Sequence, residues 1–394
     1  MISGAKGNGM KLAVVGAGAI GSATAAELAE GGAQVTLLEE RALLQGTSGT
    51  SFAWINSNNK VPPAYYQLNL GGLRRHRAGL AAGRRSFHDV GHLEVALTEQ
   101  HLALLAPKVE RLRARGYQVQ DVDAAQAVDH LPGIRAELVR AAVRYPEEGY
   151  CDVPTFVAEA HERLRAAGGG FRTAAVERLV PDAGGVEVFL GDGERLRFDA
   201  VVVATGRWTT QFLARSGFHV PVNEDDSVGA PAFGFLATTG PVAVQSPSVV
   251  SMTRVNFRPA GAGRYLLQGL DLDVEAHPSA PSAVRMRVGA ELARRFADVL
   301  GMADAPEIED VAVGIRPLPA DGLTVAGFLD PARSVYVAVT HSGVTLAPEL
   351  AALATREVLH DEPAAELAEF RPQRFDAGTA PSAGVRAARR PGEQ

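Results

Sequence analysis

The sequence predicts an α/β fold: a Rossmann-like domain interrupted by an inserted α+β domain on a mostly antiparallel sheet. Three observations predict it. The stretch Leu12 to Arg41, LAVVGAGAIGSATAAELAEGGAQVTLLEER, reads as strand, glycine turn, alanine-rich helix and strand. Far along the chain, Val201 to Val203 form a second apolar run without alternation, as expected of a parallel strand covered on both faces. Between and after these, amphipathic segments interrupt this unit. The first domain is therefore assembled from residues 10–85, 145–220 and 310–375, and the inserted one from 86–144 and 221–309.

The glycine turn has a specific chemistry. Gly16 permits the tight turn, Gly18 lets a pyrophosphate approach the backbone, and Gly21 lets the helix pack closely on the sheet. The helix N-terminus, at Ala19 and Ile20, offers unpaired N–H groups and a positive dipole end to phosphates. Glu39 ends the second strand, where an acid accepts hydrogen bonds from adenosine ribose hydroxyls, with Glu40 and Arg41 following. The pattern predicts a dinucleotide and does not choose which one.

The next stretch, Gln45 to Asn59, is polar, built of small residues and longer than a connection needs, which marks a functional loop. A helix is expected around Tyr65 to Arg77. His92 to Leu131 then reads strand, amphipathic helix, strand, and belongs to the inserted domain. Asp152 before Val153 and Pro154 caps a helix to about Ala167. Phe171 to Val180 reads as one strand, Val186 to Phe198 as a hairpin, and Ala204 to Gly206 as the turn after the buried strand. Strand-like runs follow at Ala232–Ala237, Ser248–Arg258 and Tyr265–Leu270, then a helix from about Ala283 to Leu300. Val311 to Arg316, Val335 to Val339 and a last helix from about Pro348 to Leu359 are expected to return to the first domain.

Composition excludes several classes. The 394 residues carry a formal net charge of −6 with no basic stripe, so nucleic acid is not an expected partner. No apolar run approaches a membrane span, and Met1 to Gly9 lacks the apolar core of a signal peptide, so a cytoplasmic protein is expected. Residues 1–9 and 378–394 are rich in Gly, Ala, Pro and Arg without apolar periodicity and read as disordered ends. The single cysteine, Cys151, cannot close an intramolecular disulfide.

Four stretches in order, VVGAGAIGSATAAELAEGGAQVTLLEE, FDAVVVATGRWT, GIRPLPADGLTVAG and THSGVTLAPELAALATREV, together resemble the D-amino-acid oxidase superfamily, the glycine oxidase and sarcosine oxidase group. The resemblance spans Leu12 to about Leu359. It implies FAD in a GR2-type Rossmann-like domain, bound non-covalently because no cysteine lies near the C-terminus and no histidine lies between Gly46 and Lys60. By that likeness Glu39 binds the ribose, and Thr47, Ser48, Thr50 and Ser51 surround the pyrophosphate and flavin. Val176 meets the adenine through its backbone, and Ala204, Thr205 and Gly206 pass close to the cofactor. Ser342, Gly343, Val344 and Thr345 precede a helix whose N-terminus can stabilise the negative charge of reduced flavin.

On the substrate side, the resemblance pairs Arg316 with a substrate carboxylate. Its place before Pro317 favours an extended backbone, and a guanidinium grips a carboxylate bidentately. Strand periodicity in Met252 to Arg258 puts Arg254, Asn256 and Arg258 on one face, toward either the pocket or water. Trp54 and Asn56 follow the flavin loop; Trp54 is a pocket or a core residue. Asn256, where glycine oxidases tend to carry tyrosine, suggests room for a larger N-substituent. No catalytic triad or metal spacing stands out, which fits chemistry carried by the cofactor. The expected reaction is oxidation of the C–N bond of an amino acid or N-substituted glycine, with O2 as electron acceptor. A 2-hydroxy-acid oxidase using His341 as base, and a non-catalytic FAD subunit of a larger dehydrogenase, are the alternatives. Oligomeric state is not legible.

Overall fold

The computed structural model describes residues 9–243 and 246–376. Of the ends expected to be disordered, all but Gly9 lie outside the described residues.

The glycine-turn unit nucleates a six-stranded sheet in the order Val325–Phe328, Val335–Val339, Ala200–Val203, Lys11–Val15, Gln34–Glu39, Gly170–Thr173. All neighbours are parallel except the hairpin Val325–Phe328 with Val335–Val339. Leu12, Val14, Leu37, Val201 and Val203 are buried because helices cover one face and a separate three-stranded sheet, Val176–Asp182, Gly185–Leu190 and Arg195–Phe198, covers the other, which explains the unalternated apolar runs. The helix Ala19–Glu30 buries mostly small residues, alanines with Gly21, Ser22 and Thr24, and it packs against Val153–Ala166 and Gly343–His360.

The second sheet has eight strands, in the order Ile308–Ile315, Phe233–Thr239, Tyr265–Gln268, Asn256–Pro259, Val249–Ser251, His92–Ala96, Ala141–Tyr145, Gln120–Val122. It is antiparallel except where Val249–Ser251 runs beside His92–Ala96. The helix Ser282–Val299 covers it, burying Val288, Leu292 and Phe296 against Phe257 and Leu267.

Four expectations are corrected here. Phe171 to Val180 is two strands: Gly170–Thr173 edges the first sheet, and Val176–Asp182 opens a separate three-stranded antiparallel sheet. Ser248 to Arg258 is a hairpin, because Ser251 pairs with Asn256 across a turn at residues 252–255. Val311 to Arg316 belongs to the second sheet, paired with Phe233–Thr239, so the chain returns to the first domain only after Arg316.

The last helix begins at Gly343, not near Pro348, so the proline lies inside it. Proline has no N–H for the carbonyl four residues back, here Val344. His76 Nε2 donates to that carbonyl at 2.9 Å and restores the missing bond. Burial pushes the His76 pKa down to about 4, so the ring is neutral. Two outcomes follow for His76→Phe. The unpaired buried carbonyl should cost about 1–3 kcal/mol, read as a lower Tm at neutral pH. The variant should also lose acid sensitivity. A histidine depressed from ~6.5 in the unfolded chain withdraws stability as pH falls from there toward its folded pKa. Tm should therefore fall less between pH 7 and pH 5 in the variant; equal slopes would show that His76 is not held neutral.

Candidate functional site

Two adjoining cavities lie around the glycine turn. The larger, about 320 Å³, is walled by the turn, the strand ends and the loop after Glu39. The smaller, about 140 Å³, lies toward the second sheet, and the two share Thr47, Ser51, His341 and Val344.

The larger cavity has a cradle that demands glycine. Gly16 adopts φ +99°, and a Cβ there would fall 2.6 Å from the Ala204 carbonyl oxygen. At Gly18 a Cβ would meet only the Ser48 hydroxyl, at 3.1 Å, so this backbone stays open to the cavity. Ala19, Ile20, Glu39, Glu40, Arg41, Ser48, Val176, Ala204, Thr205 and Gly206 line the same space, as do Gly343 and Val344. Gly21 lines neither cavity: a Cβ there would lie 1.8 Å from the Gly16 oxygen, so its part is packing. Glu39 fastens the turn, accepting from Ala17 N at 2.8 Å and Arg41 N at 3.1 Å. Ser48 Oγ accepts from Ala19 N at 3.0 Å.

Thr50, Ser342 and Thr345 line the smaller cavity rather than the larger. The first turn of Gly343–His360 therefore faces both spaces, with its backbone N–H groups and positive dipole end. Thr47 Oγ1 donates to the Ile315 carbonyl and ties the loop to the strand that delivers Arg316.

Arg316, Trp54 and Asn56 line the smaller cavity. Arg316 Nη1 donates to the carbonyls of Pro231 at 3.1 Å and Phe233 at 2.6 Å, and Nη2 to Asp273 Oδ2 at 3.0 Å. Three of the five guanidinium donors are engaged among the described residues, leaving two for a ligand. Burial raises the Asp273 pKa, and the adjacent guanidinium opposes that rise. Asn56 Nδ2 donates to the Trp54 carbonyl at 3.2 Å, while its buried Oδ1 has no hydrogen-bond partner among the described residues.

Arg254 and Asn256 do not reach the cavity. The turn at 252–255 breaks the expected alternation. Arg254 is exposed and pairs with Glu291 at 3.3 Å; Asn256 is buried and accepts from Met252 N at 3.2 Å. Arg258 reaches the Phe52 carbonyl instead, lying 4.8 Å from the Tyr150 ring centroid. Lying outside the cavity, Asn256 opens no room in it for a larger N-substituent.

Sequence reasoning missed Lys60, Gln268 and Trp208. Lys60 and Gln268 line the smaller cavity, and Trp208 lines the larger, with Arg41 and Arg207 over its ring at 4.3 and 4.2 Å. Lys60 directly follows the polar loop, and a lone charge at the end of that stretch was the available signal. Also missed was Glu148, wholly buried, whose carboxylate accepts from Trp54 Nε1 at 2.9 Å, Asn58 Nδ2 at 3.1 Å and Tyr117 OH at 2.6 Å. It fixes the Trp54 indole from behind. Glu148→Leu should lower stability by about 3 kcal/mol or more by orphaning these donors. Tm and tryptophan emission would both report it, and an unchanged Tm would remove Glu148 as the anchor.

A family model described as FAD dependent oxidoreductase, DAO, matches residues 11–357. The chain belongs to the DAO family of FAD-dependent oxidoreductases. The cradle fits that cofactor: an open glycine backbone, two helix N-termini and an acid at the strand end suit a dinucleotide with a flavin. FAD is its cofactor, held non-covalently. Cys151 is wholly buried, and burial pushes its thiol far above the usual range. A glycine oxidase of Geobacillus kaustophilus (strain HTA426) is 25% identical over 379 residues, covering 91% of this chain and 95% of that protein. A crystal structure of glycine oxidase from Geobacillus kaustophilus superposes with a TM-score of 0.79 at 22% identity, over 93% of this chain and 99% of the other. An L-proline dehydrogenase from P. horikoshii gives 0.78 at 17%, over 94% and 99%. These structural likenesses establish the shared fold. No helix among the described residues is long and apolar enough to cross a membrane.

Proposed function

We propose that this DAO-family enzyme oxidises the C–N bond of an amino acid or N-substituted glycine. The observation that carries the reading is Arg316 on the wall of the cavity that adjoins the cofactor cradle. Its two remaining donors suit a substrate carboxylate, and Asp273 holds the guanidinium in place. A cavity of about 140 Å³ suits a small substrate. Bound flavin supplies the two-electron acceptor. The protein's part is to hold the carboxylate and exclude water while the carbon beside nitrogen loses its hydride. The imine so formed would hydrolyse to an oxo acid, such as glyoxylate, plus an amine, with O2 taking the electrons as hydrogen peroxide. The sequence likeness to a glycine oxidase supports the same reading.

A second reading has its own observation. His341 lies on the border of both cavities, and burial, followed by Lys60 and Arg316, drives its pKa well down. A neutral imidazole there can accept a hydrogen bond from the hydroxyl of a 2-hydroxy acid, although so low a pKa makes it a weak base. Mixing the yellow protein anaerobically with glycine, N-alkyl glycines, D-amino acids and 2-hydroxy acids decides between them. Bleaching by amines is expected; bleaching by hydroxy acids alone would overturn the amine reading.

A further inference from the structure

Amine oxidation sets a requirement that the cofactor cannot meet. An ammonium nitrogen has no lone pair to stabilise the carbon losing hydride, so one proton must leave first. The smaller cavity holds groups suited to receiving that nitrogen and its proton. Asn56 Oδ1 is a buried acceptor without a partner among the described residues. Lys60 lines the same cavity and is 3% exposed, its Nζ 5.5 Å from the centroid of the Tyr65 ring.

Resting on the amine reading, we propose that Lys60 Nζ takes the proton from the substrate's ammonium nitrogen while Asn56 Oδ1 accepts a hydrogen bond from that same nitrogen. The N–H bond that breaks leaves its electron pair on the substrate nitrogen, and a new N–H bond forms on Lys60. With that lone pair free, the neighbouring carbon could give up its hydride, the acceptor being the flavin that the cradle would hold. The proton on Lys60 passes to water as the product leaves.

The surroundings favour a neutral amine on Lys60. Burial lowers its pKa to about 7, against the opposing pull of the Glu148 carboxylate. Arg316, paired to Asp273, and His341 share the cavity wall. Arg115 binds the Lys60 carbonyl at 3.1 Å, and Tyr117 donates to Glu148 beside it. A base with a pKa near the working pH is the efficient choice for proton transfer. Arg316 is the wrong group for this step, since a guanidinium stays charged.

The test follows flavin bleaching in anaerobic stopped flow across pH, at low substrate, with the most reactive amine of the panel. In the wild-type holoenzyme the rate should rise with a midpoint near 7 and then level off. In Lys60→Met the rise should move to the pH at which the dissolved substrate's own nitrogen loses its proton. At pH 7 the variant should be slower by about 10²–10⁴-fold. Lys60→Arg, permanently charged, should show the same displacement. The visible band of the resting holoenzyme gives a readout apart from turnover: its titration near pH 7 should vanish in Lys60→Met. Where Lys60→Met holds no flavin, the wild-type profile and Lys60→Arg decide. Wild-type bleaching that follows the substrate's own deprotonation, or superimposable wild-type and variant profiles, overturns the proposal for Lys60 and leaves the amine reading standing. Failure of every amine to bleach the flavin overturns both.

Discussion

Replacing Gly21 by alanine should yield a folded but colourless protein. The Gly21 Cα lies so close to the turn that a Cβ would fall 1.8 Å from the Gly16 oxygen, a backbone atom, and 3.3 Å from the Ala204 methyl. The helix Ala19–Glu30 has to shift to admit it, and it cannot shift without carrying the N–H groups of its first turn away from the cradle. Overpacking of this kind costs about 3 kcal/mol or more when no side chain can move aside, roughly a hundredfold in cofactor affinity. Gly18→Ala is the informative comparison. Its Cβ meets only a serine hydroxyl, which can rotate, so any loss there reports crowding of the pyrophosphate rather than of the helix. The ratio of flavin to protein absorbance after gel filtration measures both. Full flavin content in Gly21→Ala would mean that the turn tolerates a displaced helix.

The legibility of this chain follows how local its determinants are. The glycine turn, its helix and Glu39 are contiguous, so spacing alone places them, and the Leu12–Glu39 unit is built as read. The hairpin at Val249–Pro259 was not legible because its turn, Met252-Thr253-Arg254-Val255, contains no glycine, proline, asparagine or aspartate and mimics strand alternation. That error carried Arg254 and Asn256 into the predicted pocket. The start of the last helix was hidden by Pro348, a helix-start signal that tertiary contact with His76 makes tolerable in the interior. Partners brought from far along the chain were invisible. Glu148 behind Trp54 and Asp273 beside Arg316 lie 94 and 43 residues away from the side chains they hold. A buried acid has no periodicity to announce its role; only the fold shows which donors converge on it.

Arg316→Ala should weaken binding of carboxylate ligands by roughly 10²–10³-fold while the flavin remains bound. The guanidinium is set by the backbone around it: its own N–H donates to Ala232 O at 2.7 Å, and Nη1 fills the carbonyls of Pro231 and Phe233. Gly234 makes room, since a Cβ there would lie 2.2 Å from Nη2. Such a held cation loses little entropy on gripping a carboxylate, so truncating it should cost about 3–4 kcal/mol in affinity. Part of that figure is the Asp273 carboxyl left behind. Burial already raises its pKa, and without the guanidinium it should stay protonated further toward neutral pH, which limits the damage to the fold. Lysine should not rescue, because a single ammonium cannot serve two carbonyls, Asp273 and a ligand in one plane. The decisive comparison is between a carboxylate ligand and its uncharged amide, each titrated against the flavin band in wild type and variant. If Arg316 anchors the carboxylate, the variant loses affinity for the acid and little for the amide. Equal losses for both would mean that the arginine supports the cavity wall through Asp273 and Gly234, and the anchoring cation would then have to be sought at Lys60.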